Sequence, residues 1–433
     1  MTFRLFLAAL SLFSTLVGCT TRPAPSPVSA AAPPSNASGG QLLVVGGALR
    51  DSNAAVFDAL VTATGDGRLG IVPAASGRPA RNAERFREAL VRSGLTAEQI
   101  TILPLAVRDD PTTETIDEST WATNGDLHET AAAIDALSAL WFIGGDQARI
   151  MQVLTGPDGA FNATHAALIR LLARGGMVGG TSAGAAFQSE VAILGGSSPG
   201  ALRHGLGAAY TSMRQQEEGP LKTGRGAGLF PVGIIDQHFD RKGRLGRLIV
   251  AVMQNEDTSR RWGVGVDEDT ALHVDLAAGR ATVIGQNSVV LVDGREAQAS
   301  QAGRAFENVR LSVLTPGDQL SLSDLAITVD ESVKSPTVPN PYHEMASPVV
   351  NGIFAPYSGR LEDLLGFRLV DNATRDRLAF RFRHPDGNLH QFTFIQDERT
   401  RGYWGTPDGS FDRYTAINVR LDVEWISGLS TRH

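Results

Sequence analysis

Short apolar runs ended by glycine or proline alternate with helix-length segments from residue 41 to about residue 255, and this rhythm most restricts what the chain can fold into. The runs are "LLVVGG" (42–47), "RLGIVPAAS" (68–76), "ITILPL" (100–105) and "ALWFIGG" (139–145), followed by "MVGG" (177–180) and "VGIIDQHF" (232–239). Runs of this length without polar alternation read as strands buried on both faces, as in parallel sheets. Between them lie helical segments at 81–93, where Phe86 and Leu90 share a face and charges cover the other, at 147–154 and at 244–255. The alternation predicts an α/β fold: a doubly wound, mostly parallel sheet with helices on both faces and ligand sites at the carboxyl ends of its strands. Past about residue 266 helices give way to short strands, for example at 281–294 and 307–322. "SVKSPTVPNPYHE" (332–344) reads as a linker, and "LAFRFRHPDGNLHQFTFIQ" (378–396) as a hairpin in which Leu378, Phe380 and Phe382 alternate and Asp386-Gly387 makes the turn. The expected organisation is a main domain over 41–330 and a small, mostly β accessory domain over 331–433.

The amino end has a different character. Arg4 precedes an apolar run from Leu5 to Val17, and "LVGC" ends it at Cys19. The run is short for a membrane span and reads as a secretory signal over 1–18. The ending resembles a bacterial lipobox, whose cysteine becomes the lipidated first residue of the mature protein. Residues 19–40, rich in Pro, Ala and Ser, read as a tether. The expected location is therefore outside the cytoplasm, in the periplasm or outer membrane through a lipid anchor on Cys19, or secreted. Cys19 is the one cysteine of the chain, which rules out an intramolecular disulfide and any multi-cysteine metal site. A formal net charge of -7 over 433 residues argues against a nucleic-acid partner.

The chemistry concentrates at strand ends. Gly180-Thr181-Ser182-Ala183-Gly184 fits G-x-S-x-G and follows a strand-like run, the setting of a nucleophile elbow; the alternative is a Gly/Ala-rich helix start. A phosphate cradle is disfavoured, because no Gly-Lys-Ser/Thr ending follows. A serine nucleophile needs a base and an orienting acid. His238 stands just after an apolar strand, although Asp236 and His238 also suit a locally bonded loop. Asp267, Glu268 and Asp269 end the strand "WGVGV", although three adjacent acids also suit a solvated turn. Three strand ends in one sheet offering Ser, His and an acid carry more weight jointly than singly. Their order along the chain differs from the Ser, acid, His order of α/β-hydrolases. Gly144-Gly145-Asp146-Gln147 supplies another strand end, where the Gly145 amide, with that of Ala183, suits an oxyanion hole; the alternative is a helix start capped by Asp146.

"FIGGDQ", "GGTSAGAAF", "DQHFDRKGRLGRL" and "GVGVDEDTAL", in that order and spacing, resemble the cyanophycinases, serine peptidases related to dipeptidase E. The resemblance covers residues from about 41 to about 292. It implies a fold similar to class I glutamine amidotransferases with serine replacing cysteine. It also implies Ser182 as nucleophile, His238 as general base and acid, and Glu268 as the orienting partner, with Asp267 as the alternative. Gln147, Asp236, Gln237, Lys242, Arg244 and Arg247 fall at positions in or beside the family's substrate pocket. Lys242 stands where arginine is common and lacks the bidentate fork for a carboxylate. The implied substrate is cyanophycin, an aspartate backbone bearing arginine on each side-chain carboxyl, cleaved to β-aspartyl-arginine without cofactor or metal. A homodimer is left open. Two alternatives stand beside this reading: a related peptidase for Asp-containing dipeptides or isopeptides, and a non-catalytic, polymer-binding surface lipoprotein.

Overall fold

The computed structural model describes residues 39–428 apart from 114, 208–218, 232, 345–359, 408 and 410. The expected leader, Cys19 and the tether as far as residue 38 lie outside the described residues. The described residues fall in one compact unit.

The strands are β1 (Gln41–Val45), β2 (Leu69–Val72), β3 (Ile100–Ile102), β4 (Ala139–Phe142), β5 (Met177–Thr181), β6 (Val191–Gly195), β7 (Lys222–Arg225), β8 (Ile234–Asp236), β9 (Trp262–Val266), β10 (Thr270–Asp275) and β11 (Arg280–Gly285). After them come β12 (Val289–Asp293), β13 (Gln298–Ser300), β14 (Ala305–Leu314), β15 (Gln319–Ser321), β16 (Ile327–Thr328), β17 (Lys334–Pro336), β18 (Arg377–Arg383), β19 (Leu389–Ile395), β20 (Arg401–Gly405) and β21 (Arg413–Ile426). The helices used below are α1 (Ala54–Thr64), α2 (Pro79–Arg92), α3 (His128–Asp135), α4 (Gln147–Leu154), α5 (Ala163–Ala173), α6 (Ala183–Ala186), α7 (Ser198–His204) and α8 (Leu245–Met253).

A nine-stranded sheet runs β16-β15-β11-β10-β1-β5-β4-β2-β3. Its β1, β5, β4, β2 and β3 are parallel, and from β10 outward the pairing is antiparallel. Period-two alternation sorts the side chains of β1 between two cores. Leu43 and Val45 pack with Phe57 and Leu60 of α1 and Leu90 of α2. Leu42 and Val44 face Ile134, Ile150 and Leu168 of α3, α4 and α5. The parallel half thus has helices on both faces, as its apolar runs predict.

A second, ten-stranded sheet runs β17-β20-β21-β14-β12-β9-β8, with β13 on β14 and the β18–β19 hairpin on β21. Ile235, Val264 and Leu291 on one face join the core beneath β1 and β4. Ile234, Val290 and Val292 on the other pack against Leu248 and Val252 of α8. The chain is therefore a mixed α/β protein with two sheets sharing a core.

Two expectations are corrected. His238 and Glu268 follow β8 and β9, which pair in parallel in the second sheet, whereas Ser182 follows β5 of the first. Only residues 267–269 separate β9 from β10, too few for the crossover that a parallel neighbour needs. The chain therefore turns between sheets at these three residues, and β10 pairs antiparallel with β1. The expected boundary near 331 lies inside the second sheet, because β21 pairs β14 from Phe306↔Val423 to Val313↔Ala416. The stretch read as a linker contributes β17, whose Lys334 is buried and ion-paired with Asp318 at 2.7 Å while donating to Thr315 and Thr415. A lysine charge enters a core only with such partners. The hairpin forms with Leu378↔Phe394, Phe380↔Phe392 and Phe382↔His390 in register.

Candidate active site

Ser182 follows β5 and precedes the four-residue α6, with φ 57° and ψ −110°. A non-glycine residue in the left-handed half of conformational space costs roughly 1–3 kcal/mol and persists where its surroundings impose it. Both flanking glycines of the motif do so by allowing close approach. A Cβ on Gly180 would stand 2.3 Å from the Gly184 carbonyl oxygen, and one on Gly184 would stand 2.2 Å from that of Phe142. The Ser182 amide donates to the Val45 carbonyl at 2.9 Å, tying the elbow to β1.

His238, two residues beyond β8, also has positive φ, at 48°. Its amide donates to the Gly46 carbonyl at 2.6 Å. A Cβ on Gly47 would lie 2.3 Å from the imidazole Cε1, so only glycine leaves room for the ring there. The imidazole bridges the two sheets: Nε2 lies 2.9 Å from Ser182 Oγ and Nδ1 lies 2.6 Å from Glu268 Oε1. An ionised carboxylate only accepts, so Nδ1 carries the proton and Nε2 presents its lone pair to the serine hydroxyl. Burial is the main cause that lowers the His238 pKa, against the raising effect of the Glu268 hydrogen bond, with the Arg244 and Lys242 charges also lowering it. The ring is thereby kept neutral near pH 7, the form a base requires.

The three adjacent acids have separate partners. Glu268 reaches the imidazole, its amide donates to Asp240 Oδ1 at 3.1 Å, and Oε2 lies 3.6 Å from Arg241 Nε. Asp267 is buried and accepts from the amide and hydroxyl of Ser288. Burial, reinforced by the Asp240 charge, raises its pKa well above the usual carboxylate range. Asp269, at φ 57°, accepts from the Asn53 side-chain amide and the Arg50 amide, fixing the turn between the sheets.

Of the other candidates, Gly144 adjoins the serine: a Cβ on it would stand 3.3 Å from Ser182 Cβ. Gly145 takes φ 147°, and a Cβ there would meet the Ala75 carbonyl oxygen at 2.0 Å. Ala183 is the first residue of α6. Asp146 caps α4 through Ala148 N at 2.9 Å, so the helix-start alternative at this strand end describes the observed local structure. Gln147 is buried and its side-chain amide donates to the Ile193 carbonyl. Gln237 Oε1 lies 3.4 Å from Ser182 Oγ. Lys242 is exposed two residues before Arg244.

Asp236 and the two arginines, expected in or beside the substrate pocket, are buried and paired with one another. Asp236 is 1% exposed and is gripped by both Nε and Nη2 of Arg247, itself 4% exposed, while Arg247 Nη1 donates to the Gly196 carbonyl at 2.7 Å. Arg244 lies 3.5 Å from Asp236 and donates to the Gln237 carbonyl, the residue before His238. Ionic groups buried this deeply must satisfy one another, since each unpaired one would cost several kcal/mol. Here that satisfaction braces the histidine loop from behind.

The sequence reading missed a cavity of about 360 Å³ that reaches Ser182. It is lined by Thr181, Ser182 and Gly144 at one end and by Asn82, Arg85 and Phe86 of α2 at the other, with Asp51 at its side. Phe86 stacks on Trp141 at 4.9 Å between ring centroids. Thr181 Oγ1 and Trp141 Nε1 are buried without a hydrogen-bond partner among the described residues. Asn82, Arg85, Phe86 and Ala89 have i, i+3, i+4, i+7 spacing, so a polar pair on the apolar side of α2 was the available signal. Among the described residues no cluster of His, Cys, Asp and Glu could hold a metal ion.

No protein-family model matches the chain. The cyanophycinase of Trichormus variabilis is 31% identical over 261 residues, 58% of this chain and 74% of the relative, and that of a Nostoc species matches to the same extent. The cyanophycinase of Synechococcus elongatus is 27% identical over 264 residues, 59% of this chain and 70% of the relative. Among solved structures, a peptidase from an acI-B1 Actinobacterium aligns over 66% of this chain and 98% of its own, with a TM-score of 0.42 and 18% identity. On the extent of its similarity to these curated relatives, the chain is a serine-type peptidase and belongs to the cyanophycinase family.

Proposed function

We propose that the chain hydrolyses cyanophycin, releasing β-aspartyl-arginine, with Ser182 as nucleophile, His238 as base and acid, and Glu268 as the carboxylate that orients the imidazole. The observation that carries this reading is the relay from Ser182 Oγ to His238 Nε2 at 2.9 Å and from Nδ1 to Glu268 at 2.6 Å. As Oγ attacks the peptide carbonyl, its proton passes to Nε2 and negative charge develops on the carbonyl oxygen. The Gly145 and Ala183 amides are assigned to that oxyanion, each such donor being typically worth about a hundredfold to a thousandfold in rate. Collapse expels the amine, which takes the proton from Nε2. Water then adds to the acyl-enzyme with His238 as base, and the acid product leaves with Oγ reprotonated.

The substrate assignment draws on the curated relatives and on the cavity beside Ser182. Asp51 and Arg85 offer opposite charges to a ligand that carries a guanidinium and a carboxylate in each repeat. The nucleophile at a strand-to-helix elbow of a parallel sheet supports a class I glutamine amidotransferase-like fold. Export and lipid anchoring through Cys19 rest on the leader sequence.

Granules of cyanophycin incubated with the purified chain test the reading. Release of β-aspartyl-arginine is expected, with Ser182→Ala folding normally, resisting a fluorophosphonate label and losing about a thousandfold or more of turnover. Undiminished hydrolysis by that variant, or inert granules with the unaltered chain, would refute it.

A further inference from the structure

A second cleft, of about 970 Å³, opens on the other side of the catalytic relay. Ala48 lines both this cleft and the cavity at Ser182, and Glu268 forms part of its wall. Its far side is built from residues 360–367 and 411–414, outside the stretch that resembles cyanophycinases. These residues arrive there because β21 joins the second sheet and a π-helical turn, Glu362–Val370, packs on it through Gly366, whose Cβ would stand 2.2 Å from Tyr414 Cβ.

The lining has mixed charge with an aromatic share. Six carboxylates and four arginines face the cleft, together with Phe367, Phe411 and Tyr414. Phe411 is 68% exposed, and the exposed Asp412 follows it. Tyr414 is 5% exposed, and its hydroxyl has no hydrogen-bond partner among the described residues. Arg360 and Arg413 are held 3.7 Å from Asp240 and 3.3 Å from Glu362. A polyanion or a polycation would meet repulsion from half of this surface. A chain that alternates guanidinium and carboxylate groups would meet both signs of charge, each of the four arginines being paired with a carboxylate of the same wall, and would find the exposed Phe411 ring for a guanidinium plane.

Resting on the function proposed above, the geometry points to this cleft as a binding site for arginyl-aspartate repeats of the polymer away from the scissile bond. The carboxy-terminal segment would then add grip on a long substrate and leave the bond-breaking step unchanged, because occupying a second site on the same strand raises overall affinity without a new catalytic contact.

The test is sedimentation of the full chain with cyanophycin granules, with Ser182→Ala present to prevent cleavage. Phe411→Ala with Asp412→Asn should weaken binding by about fivefold or more, at an unchanged melting temperature. In the Ser182 form, the same pair of changes should raise KM for the polymer and leave kcat/KM for a two-repeat soluble fragment within about twofold. Undiminished sedimentation, or equal losses on polymer and fragment, would overturn the cleft assignment. Failure of the unaltered chain to cleave either substrate would count against the proposed function alone, since sedimentation does not depend on cleavage.

Discussion

In the proposed reaction His238 has to be neutral to accept a proton and oriented to receive it from one direction. Burial keeps it neutral, and Glu268 at 2.6 Å from Nδ1 fixes its orientation. The sign of the pH dependence follows. The base form predominates above the folded pKa, which lies below the ordinary 6.5, so kcat/KM should rise with pH and reach half its plateau below about 6.5. A pH–rate profile whose acid limb is centred above that value would contradict the assigned environment. At this scale the sequence was informative about residue types and strand ends. It could not choose between Asp267 and Glu268, because adjacent side chains diverge in direction and only the turn between the sheets decides which one meets the ring. Nor could it foresee that Asp236 and Arg247, eleven positions apart, satisfy each other in the interior.

At the scale of elements, the loop from β1 to α1 is as much a part of the site as the elbow. Gly46 accepts from the His238 amide, and Gly47 leaves the space that the imidazole occupies. Gly47→Ala is expected to displace the ring and lower kcat by about a hundredfold, the usual result of moving a reacting group by roughly 1 Å. Circular dichroism of the variant should show an intact fold; unaltered kcat would refute the steric argument. The β18–β19 hairpin carries a different constraint. His384 Nε2 lies 2.7 Å from His390 Nδ1, and His390 Nε2 lies 2.9 Å from the Arg304 carbonyl. Burial, with Arg304 and His384 as neighbouring positive groups, lowers the His390 pKa to about 4. The unfolded chain therefore binds a proton below 6.5 that the folded chain refuses until about 4. This stabilisation is complete above pH 6.5 and declines as pH falls, by up to about 3 kcal/mol. Thermal melts between pH 7 and 4.5 should show the decline, and His390→Gln should flatten part of it.

For the whole molecule, the second sheet makes the carboxy-terminal region integral to the catalytic body. β14 pairs with β21 on one side and β12 on the other, and Asp318 is paired with the buried Lys334. A chain ending at residue 330 would expose one edge of β14 and leave Asp318 buried without its cation. It is expected to aggregate or to unfold at markedly lower temperature than the full chain; a soluble, active truncation with an unchanged melting temperature would refute this. The sequence alone determined the parallel half of the first sheet, the elbow and the hairpin, because each depends on local patterning: uninterrupted apolar runs, glycines beside a serine, and alternation across an Asp-Gly turn. Tertiary structure alone decided that the serine and its histidine–glutamate partners come from different sheets, that the last hundred residues complete one of those sheets, and that two cavities flank the relay. Those outcomes depend on which strand edges meet across long stretches of chain, and strands with similar apolar faces carry no local mark of the sheet they will join.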